Sequence, residues 1–249
     1  MVGIIFHNKY TTLKPSLLKW FYLIPSLNKM CGRYTLTKSI KMIESHFRPV
    51  RMSLKHLPSY NIAPSQFSAV ITNSSNQLNL TEMKWGLIPP FSKHTSMGSK
   101  LINARSETLH EKPSFRDSFK NKRCLIPADG FIEWKRKKPY FIRIKNQALF
   151  AFAGIWSTWD SGDEPLNTYS IVTTEANTTL SPLHSRMPVI LHPDHYKKWV
   201  SAESNSLSSF FTGDLENNLE YFEISTAINS PKNNEAALLN PTGQTSFTF

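Results

Sequence analysis

The sequence predicts a single mixed α+β domain in which strands outnumber helices. Its 249 residues suit one domain with one core, since single domains commonly reach about 250 residues. Many short segments rich in β-branched and aromatic residues are bounded by Pro, Gly, Asn or Ser, as strands are. Strands do not alternate regularly with helices, and neither a heptad nor an internal repeat is present. That pattern argues against a doubly wound parallel sheet, a coiled coil and a solenoid.

Taken in order, residues 1–29 read as an N-terminal extension absent from the active form, and 30–249 as the functional domain. The extension carries Lys9, Lys14, Lys19 and Lys29 with no Asp or Glu. Lys19 and Pro25 break its apolar stretch around Leu17–Leu27, so it lacks the continuous apolar core of a secretory signal, and its lack of Arg argues against an organelle transit peptide. It is either a leader that is removed or an in-frame extension upstream of a start at Met30. Ile40, Ile43 and Phe47 at helical spacing then predict a short helix ending before Pro49. Strands are expected at Phe67–Thr72, Leu78–Trp85, Tyr140–Lys145, Ala148–Ala153, Tyr169–Thr173, Met187–Leu191 and Tyr221–Ser225. Helical turns are expected at Ser106–His110 and Ser114–Lys120. Pro193 opens a helix carrying Tyr196, Trp199 and Val200. Asn73–Gln77, Asp160–Pro165 and Ser201–Ser209 read as surface loops, and Asn240–Phe249 as a loosely held tail.

Composition narrows the function classes. The chain has 29 Lys+Arg against 18 Asp+Glu, a net charge of +11 that favours a polyanionic partner such as nucleic acid. No apolar run approaches the roughly 20 residues of a membrane span. Two cysteines, Cys31 and Cys124, cannot build a disulfide framework or a Cys-rich zinc site, and a reducing cytoplasm fits them best. His192 and His195 are spaced H-x-x-H and follow His184, but no acidic or Cys ligand accompanies them in a recognised spacing, so no metal is expected. Cys124, heading an apolar run, reads as structural.

Cys31 reads differently. Removal of everything through Met30 would leave an N-terminal cysteine, a 1,2-aminothiol. An α-amine with a pKa of about 7.7–8.0 is neutral and nucleophilic in roughly one molecule in seven at pH 7, far more often than a lysine. It condenses with an aldehyde to a Schiff base, and the neighbouring thiol can add to the imine carbon and close a five-membered thiazolidine. Taken alone, a cysteine is more often a buried small hydrophobe.

Six stretches place Cys31 in a pattern. They are Cys31-Gly32-Arg33-Tyr34, Tyr60-Asn61-Ile62-Ala63-Pro64, Trp85-Gly86-Leu87-Ile88-Pro89, Ile102 through Thr108 (INARSET), Arg123 through Trp134 (RCLIPADGFIEW), and His184-Ser185-Arg186-Met187-Pro188. A later Asn229-Ser230-Pro231-Lys232-Asn233 agrees with them. In this order the chain resembles the SOS-response-associated peptidase family, the abasic-site shielding proteins. The resemblance implies a single α+β domain on a bifurcated, partly barrel-like, mainly antiparallel sheet with surrounding helices. It implies that mature Cys31 joins covalently to the ring-opened aldehyde of an abasic site in single-stranded DNA, with strand-cleaving lyase activity as a side reaction. Asn103, Glu133 and His184 match the family's other catalytic positions. Asn103 would hold amine and aldehyde, Glu133 would relay protons, and His184 would protonate the sugar ring oxygen.

Arg33, Arg105 and Arg186 lie in the same motifs and are candidates for phosphate contacts, with Arg116 and Arg123 behind them. Trp85 and Trp134 offer faces for base stacking. The plainer roles are core packing for the tryptophans, an ion pair for Arg105 and a turn cap for Asn103. The expected partner is single-stranded DNA containing abasic sites, bound by a monomer without cofactor or membrane, in the cytoplasm or on a bacterial nucleoid. Two other classes compete: a thiol autopeptidase that uses Cys31 to remove its own leader, and a non-catalytic single-stranded DNA or RNA binder.

Overall fold

The computed structural model describes residues 32–53, 58–146, 149–201, 207–211 and 218–243. They run in the order β1 (Arg33–Leu36), α1 (Ile40–Phe47), β2 (Arg51–Met52), β3 (Ser59–Ile62), β4 (Phe67–Ser74), β5 (Gln77–Trp85), β6 (Asn103–Arg105), α2 (Arg116–Asn121), β7 (Arg123–Ala128), β8 (Gly130–Lys135), β9 (Lys138–Ile144), β10 (Phe150–Trp159), β11 (Leu166–Glu175), β12 (Arg186–Pro188), β13 (Ile190–Leu191), α3 (Tyr196–Val200) and β14 (Leu219–Glu223). Among these residues no helix is long and apolar enough to cross a membrane.

The strands form two sheets. In the larger, β11, β10, β7, β4 and β5 pair antiparallel in that order, and β5 returns to β11 through a parallel pairing, Tyr169 beside Trp85. This closes a five-stranded ring, and closure satisfies strand edges that would otherwise stand open. The smaller sheet is open and antiparallel, ordered β14-β9-β8-β1-β3. A single residue, Asp129, separates β7 of the ring from β8 of the open sheet, so one run of chain belongs to both. The sheet is therefore bifurcated and partly barrel-like. Asp129 is buried at the fork, where its carboxylate accepts from the Thr35 and Thr37 hydroxyls and, at 2.7 Å, from the Thr37 backbone N–H.

The open sheet packs one face onto the ring. Tyr34 of β1 meets Trp85 and Phe152 edge-on at 5.2 and 5.9 Å between centroids, and Phe131 of β8 meets Phe152 at 5.8 Å. The Tyr34 hydroxyl shares hydrogen bonds with Ser68 Oγ (2.6 Å) and the Tyr169 hydroxyl (2.7 Å), so its buried oxygen is satisfied. The opposite face, carrying Ile132, Phe141, Ile224, Ile228 and Leu238, forms a second, smaller core.

The expected segments near β4, β5, β9, β10, β11 and β14 form strands within a few residues, apart from Ala148, which lies outside the described residues. Met187–Leu191 divides in two. Val189 donates to Val172 of β11 and accepts from Ala153 of β10, so the chain changes partner strand there. The expected tail is tied down at its start, because the Thr242 N–H donates to the Glu223 carbonyl at 2.8 Å and Pro241 bridges to Ile224. Leu207–Phe211, expected partly as loop, is a 3-10 turn whose Leu207 and Phe210 are buried.

Gly86, just after β5, sets the route to β6. Its φ of +118° belongs to glycine, and a Cβ there would stand 2.6 Å from the Gly98 carbonyl oxygen. The close crossing lets the Trp85 indole donate to the Ile102 carbonyl at 2.9 Å and the Leu87 N–H to the Leu101 carbonyl at 3.2 Å, directly before Asn103. Gly86→Ala is expected to lower unfolding free energy by about 2 kcal/mol or more, measured by denaturant titration, because both strain and clash fall on backbone.

Candidate active site

Strand β1 is the starting point. It pairs with β8 in the register Arg33 to Ile132, Tyr34 to Phe131 and Thr35 to Gly130. The next positions outward are Gly32 and Glu133. Cys31 itself lies outside the described residues, one residue beyond Gly32. Side chains alternate along a strand, so Glu133 shares the ring-facing side with Phe131, two residues away. Glu133 is only 4% exposed. A carboxylate therefore sits at the seam of the two sheets, beside the first described residue of β1's lead-in.

Strand β11 carries the other half of the site. Tyr169, bonded to Tyr34, lies two residues before Ile171, which pairs in parallel with Asn103 of β6. The pairing continues with Thr173 beside Arg105, and on the other edge of β11 Glu175 lies beside Arg186. One strand thus connects the hydroxyl of Tyr34, three residues after Cys31, to Asn103, Arg105 and Arg186. Asn103 is half-buried.

His184 enters from the turn before β12. Its backbone N–H donates to Leu180 at 3.1 Å, and its Nδ1 accepts the Arg186 backbone N–H at 3.0 Å. With Nδ1 occupied as an acceptor, the neutral ring carries its proton on Nε2. Burial lowers the His184 pKa below the ordinary histidine value, against an opposing influence of the hydrogen bond to the Arg186 backbone, and the positive charge of Arg186 adds to the lowering. The Arg186 guanidinium forks onto Glu107, Nη1 to Oε1 at 2.6 Å and Nη2 to Oε2 at 3.0 Å, and Nη2 also reaches the Thr173 carbonyl at 2.8 Å. Burial works to raise the Glu107 pKa, but hydrogen bonds and charge from Arg186 bring it below the usual carboxylate value.

The remaining candidates separate by burial. Arg105 and Arg116 are exposed, and Trp134 is half-buried beside Glu133. Trp85 is 1% exposed, so it belongs to the core and has no face for a base. Arg123 is also buried. It donates to the carbonyls of Phe119, Lys120, Trp199 and Ser201, bracing α2 against α3, and is withdrawn from any phosphate. Arg33 is half-buried and committed to protein: Nη1 donates at 2.7 Å to both Asn61 Oδ1 and the Ile228 carbonyl, and Nη2 to the Asn229 carbonyl at 3.1 Å.

Asn61 is a site residue that chemical reasoning on the sequence missed. Its Nδ2 reaches the carbonyls of Ile228, Ser230 and Asn233 at 3.2, 2.9 and 2.8 Å, while Asn229 Oδ1 accepts from the Trp134 indole at 2.8 Å. Together Arg33 and Asn61 fasten the 228–233 turn over the end of β1 and beside Trp134. The only signal was an Asn inside the Tyr60–Pro64 motif and a second Asn-rich motif far downstream.

Comparison with known proteins identifies the family. The family model described as SOS response associated peptidase (SRAP) matches residues 30–231. The chain belongs to the SRAP family. It is 44% identical over 221 residues to the abasic site processing protein YoaM of Bacillus subtilis, spanning 84% of this chain and 97% of that protein. It is 33% identical over 217 residues to the abasic site processing protein HMCES of Xenopus tropicalis, spanning 72% of this chain and 65% of that longer protein. A solved protein from Bacteroides thetaiotaomicron shares the fold, with a TM-score of 0.77 at 24% identity over 85% of this chain and 99% of that one.

In this SRAP chain the turn 228–233 is held by the buried Asn61 amide together with Arg33. Asn61→Ala is expected to cost about 1–3 kcal/mol, since it removes the amide that holds the Ser230 and Asn233 carbonyls and one of the two acceptors of Arg33 Nη1. Hydrogen exchange should then quicken selectively at residues 227–233, and unchanged exchange there would contradict the assignment.

Proposed function

We propose that this chain captures abasic sites in single-stranded DNA through Cys31, once residues 1–30 have been removed. The α-amine attacks the ring-opened deoxyribose aldehyde and loses one water to form an imine. The thiol then adds across the C=N bond, its proton passing to nitrogen, and a thiazolidine closes. An imine left untrapped leads to β-elimination, so limited strand cleavage accompanies capture. The single observation that carries this reading is the β1–β8 register, in which Gly32 and the buried Glu133 are the next ladder positions. Family membership and the names of the relatives, which process abasic sites, support the same substrate.

Each role follows from chemistry available at the atoms named. Glu133 takes and returns the protons exchanged by amine and thiol. Asn103 offers an amide with both donor and acceptor to hold the amine and carbonyl oxygen. His184, in the protonated ring whose Nδ1–H has given up the bond from the Arg186 N–H, gives a proton from Nε2 to the ring oxygen as the closed sugar opens. Arg105, exposed beside Asn103, is the arginine best placed to meet a phosphate flanking the lesion, and Trp134 the aromatic best placed to meet a base.

A second reading is favoured by the 30 residues that precede Cys31. While they are attached, the nitrogen is an amide and cannot condense with an aldehyde. Attack of the Cys31 thiol on the carbonyl carbon of its own preceding peptide bond would break the C–N bond, free the amine and leave the leader on sulfur as a thioester; hydrolysis by water would then release the leader as a carboxylate and restore the thiol, joining the peptidase reading to capture.

Intact mass spectrometry of protein expressed from the whole reading frame, before and after mixing with a single-stranded oligonucleotide bearing one abasic site, tests both steps. A chain beginning at Cys31 is expected to gain the oligonucleotide mass minus one water. Cys31→Ser produced with residue 31 as its first residue is expected to retain only a reversible imine that borohydride traps, and the same variant expressed from the whole reading frame to keep its leader if the thiol removes it. A chain beginning at Cys31 that gains no mass contradicts the proposal.

The pH dependence follows from the lowered His184 pKa. Capture requires the protonated imidazole and the neutral amine together, so its rate should rise with pH up to a value below about 6.5 and stay level. It should fall again above about pH 8, where the amine is already neutral and the protonated imidazole keeps declining. In His184→Gln the fall at high pH should vanish while the low-pH rise shifts toward the amine pKa. Single-turnover rates across pH 5–10 check this; a decline at high pH that survives in the variant assigns the acid elsewhere.

A further inference from the structure

Arg186 first reads as a phosphate contact, yet its side chain is 14% exposed and its guanidinium is engaged by protein acceptors. It forks onto both oxygens of Glu107 at 2.6 and 3.0 Å and reaches the Thr173 carbonyl at 2.8 Å. A two-pronged guanidinium–carboxylate pair fixes direction as well as distance. Glu107 stands in the 3-10 turn Ser106–Thr108 that follows β6, four residues after Asn103. Arg186 opens β12, and its own backbone N–H holds His184 Nδ1 at 3.0 Å. The ion pair therefore spans from the strand that presents Asn103 to the residue that orients His184, with Thr173 of β11 beneath both.

We propose that Glu107 is a positioning residue for abasic-site capture: by clamping Arg186 it holds the His184 imidazole in a fixed place relative to Asn103. The proposal rests on the function proposed above. Glu107 touches no reacting atom and acts through Arg186. The clamp has a local cause, since β12 spans only three residues and its first residue supplies both the N–H that holds the imidazole and the guanidinium that anchors the strand. Without the carboxylate, the guanidinium keeps the Thr173 carbonyl as its named acceptor and is free to turn toward water. The start of β12, and with it the His184 ring, then loses its tether to β6.

Glu107→Gln keeps the size of the side chain and removes the charge; Glu107→Asp keeps the charge. Ring nitrogen NMR of the wild-type protein should show His184 as a single tautomer with the proton on Nε2. In Glu107→Gln those resonances should shift and broaden, and in Glu107→Asp move back toward wild type. Single-turnover capture at saturating oligonucleotide should slow about tenfold in Glu107→Gln, with affinity for the same oligonucleotide lacking the lesion unchanged, as expected for a misplaced acid. Recovery in Glu107→Asp should be partial. Unchanged His184 resonances in Glu107→Gln overturn the proposal, and so does wild-type capture matched in rate by that variant. A wild-type protein beginning at Cys31 that forms no adduct refutes the function and the positioning role together, which separates that failure from failure of the clamp alone. If Glu107→Gln does not fold, Arg186→Lys, which retains a charge without the planar fork, carries the same test.

Discussion

The hydrogen bond between the hydroxyls of Tyr34 and Tyr169, at 2.7 Å, joins the two sheets where the site is built. Tyr34 belongs to β1, a four-residue strand between β8 and β3 in the open sheet, and Tyr169 to β11 of the closed ring. Neither ring can turn freely, because Trp85 stacks beside Tyr169 and meets Tyr34 edge-on. A hydroxyl pair buried this deeply is costly to break, since each oxygen would lose its partner away from water. From that bond outward, β1 leads to Gly32 and Glu133, while β11 leads to Asn103, Arg105 and Arg186. The proposed chemistry needs an amine, a carboxylate, an amide and an imidazole from four distant parts of the chain, and the seam links β1 and β8, which carries Glu133, to β11, which pairs with the strands of Asn103 and Arg186.

Around the seam, polar groups do structural work. Asp129 fixes the fork between β7 and β8 by accepting from Thr35 and Thr37, so the strand that leads to Cys31 and the strand that carries Glu133 are tied at their far ends. Arg33 and Asn61 fasten the 228–233 turn beside them. Glu107 and Arg186 do the same for the opposite wall. Such networks give little net stability for each bond, but they specify one arrangement of the backbone, on which the proposed intramolecular ring closure would depend.

Much of this was legible in the sequence, and the remainder was hidden for identifiable reasons. The proposed aminothiol chemistry of Cys31 was suggested by the motifs around it rather than by its residue type, and the short apolar segments announced most of the ring. The core position of Trp85 was also readable, since Thr81-Glu82-Met83-Lys84-Trp85 alternates with Met83 and Trp85 inside and Glu82 and Lys84 turned outward. Arg123 was not readable, because a charged residue opening a wholly buried strand is rescued only by carbonyls from α2 and from the end of α3, the latter more than 70 residues away. Strands β1, β3, β6, β7 and β8 overlap the motif segments; β1, β3 and β6 are only three or four residues long, while β7 and the first four residues of β8 are buried on both faces and so lack the alternation of a half-exposed strand. The partners of Asn61 and Glu107 are likewise long-range, so their side chains reveal nothing of their roles until the fold is closed.

The central claim is that β1 delivers the mature amine and thiol of Cys31 to Glu133 at the seam of the sheets. A crystal structure of the chain beginning at Cys31, joined to a single-stranded oligonucleotide through its abasic site, tests this most directly. The account predicts a thiazolidine at residue 31 with the Glu133 carboxylate and the Asn103 amide within hydrogen-bond distance of the ring or the opened sugar. A sugar attached to a lysine, or a thiazolidine remote from Glu133, would contradict it.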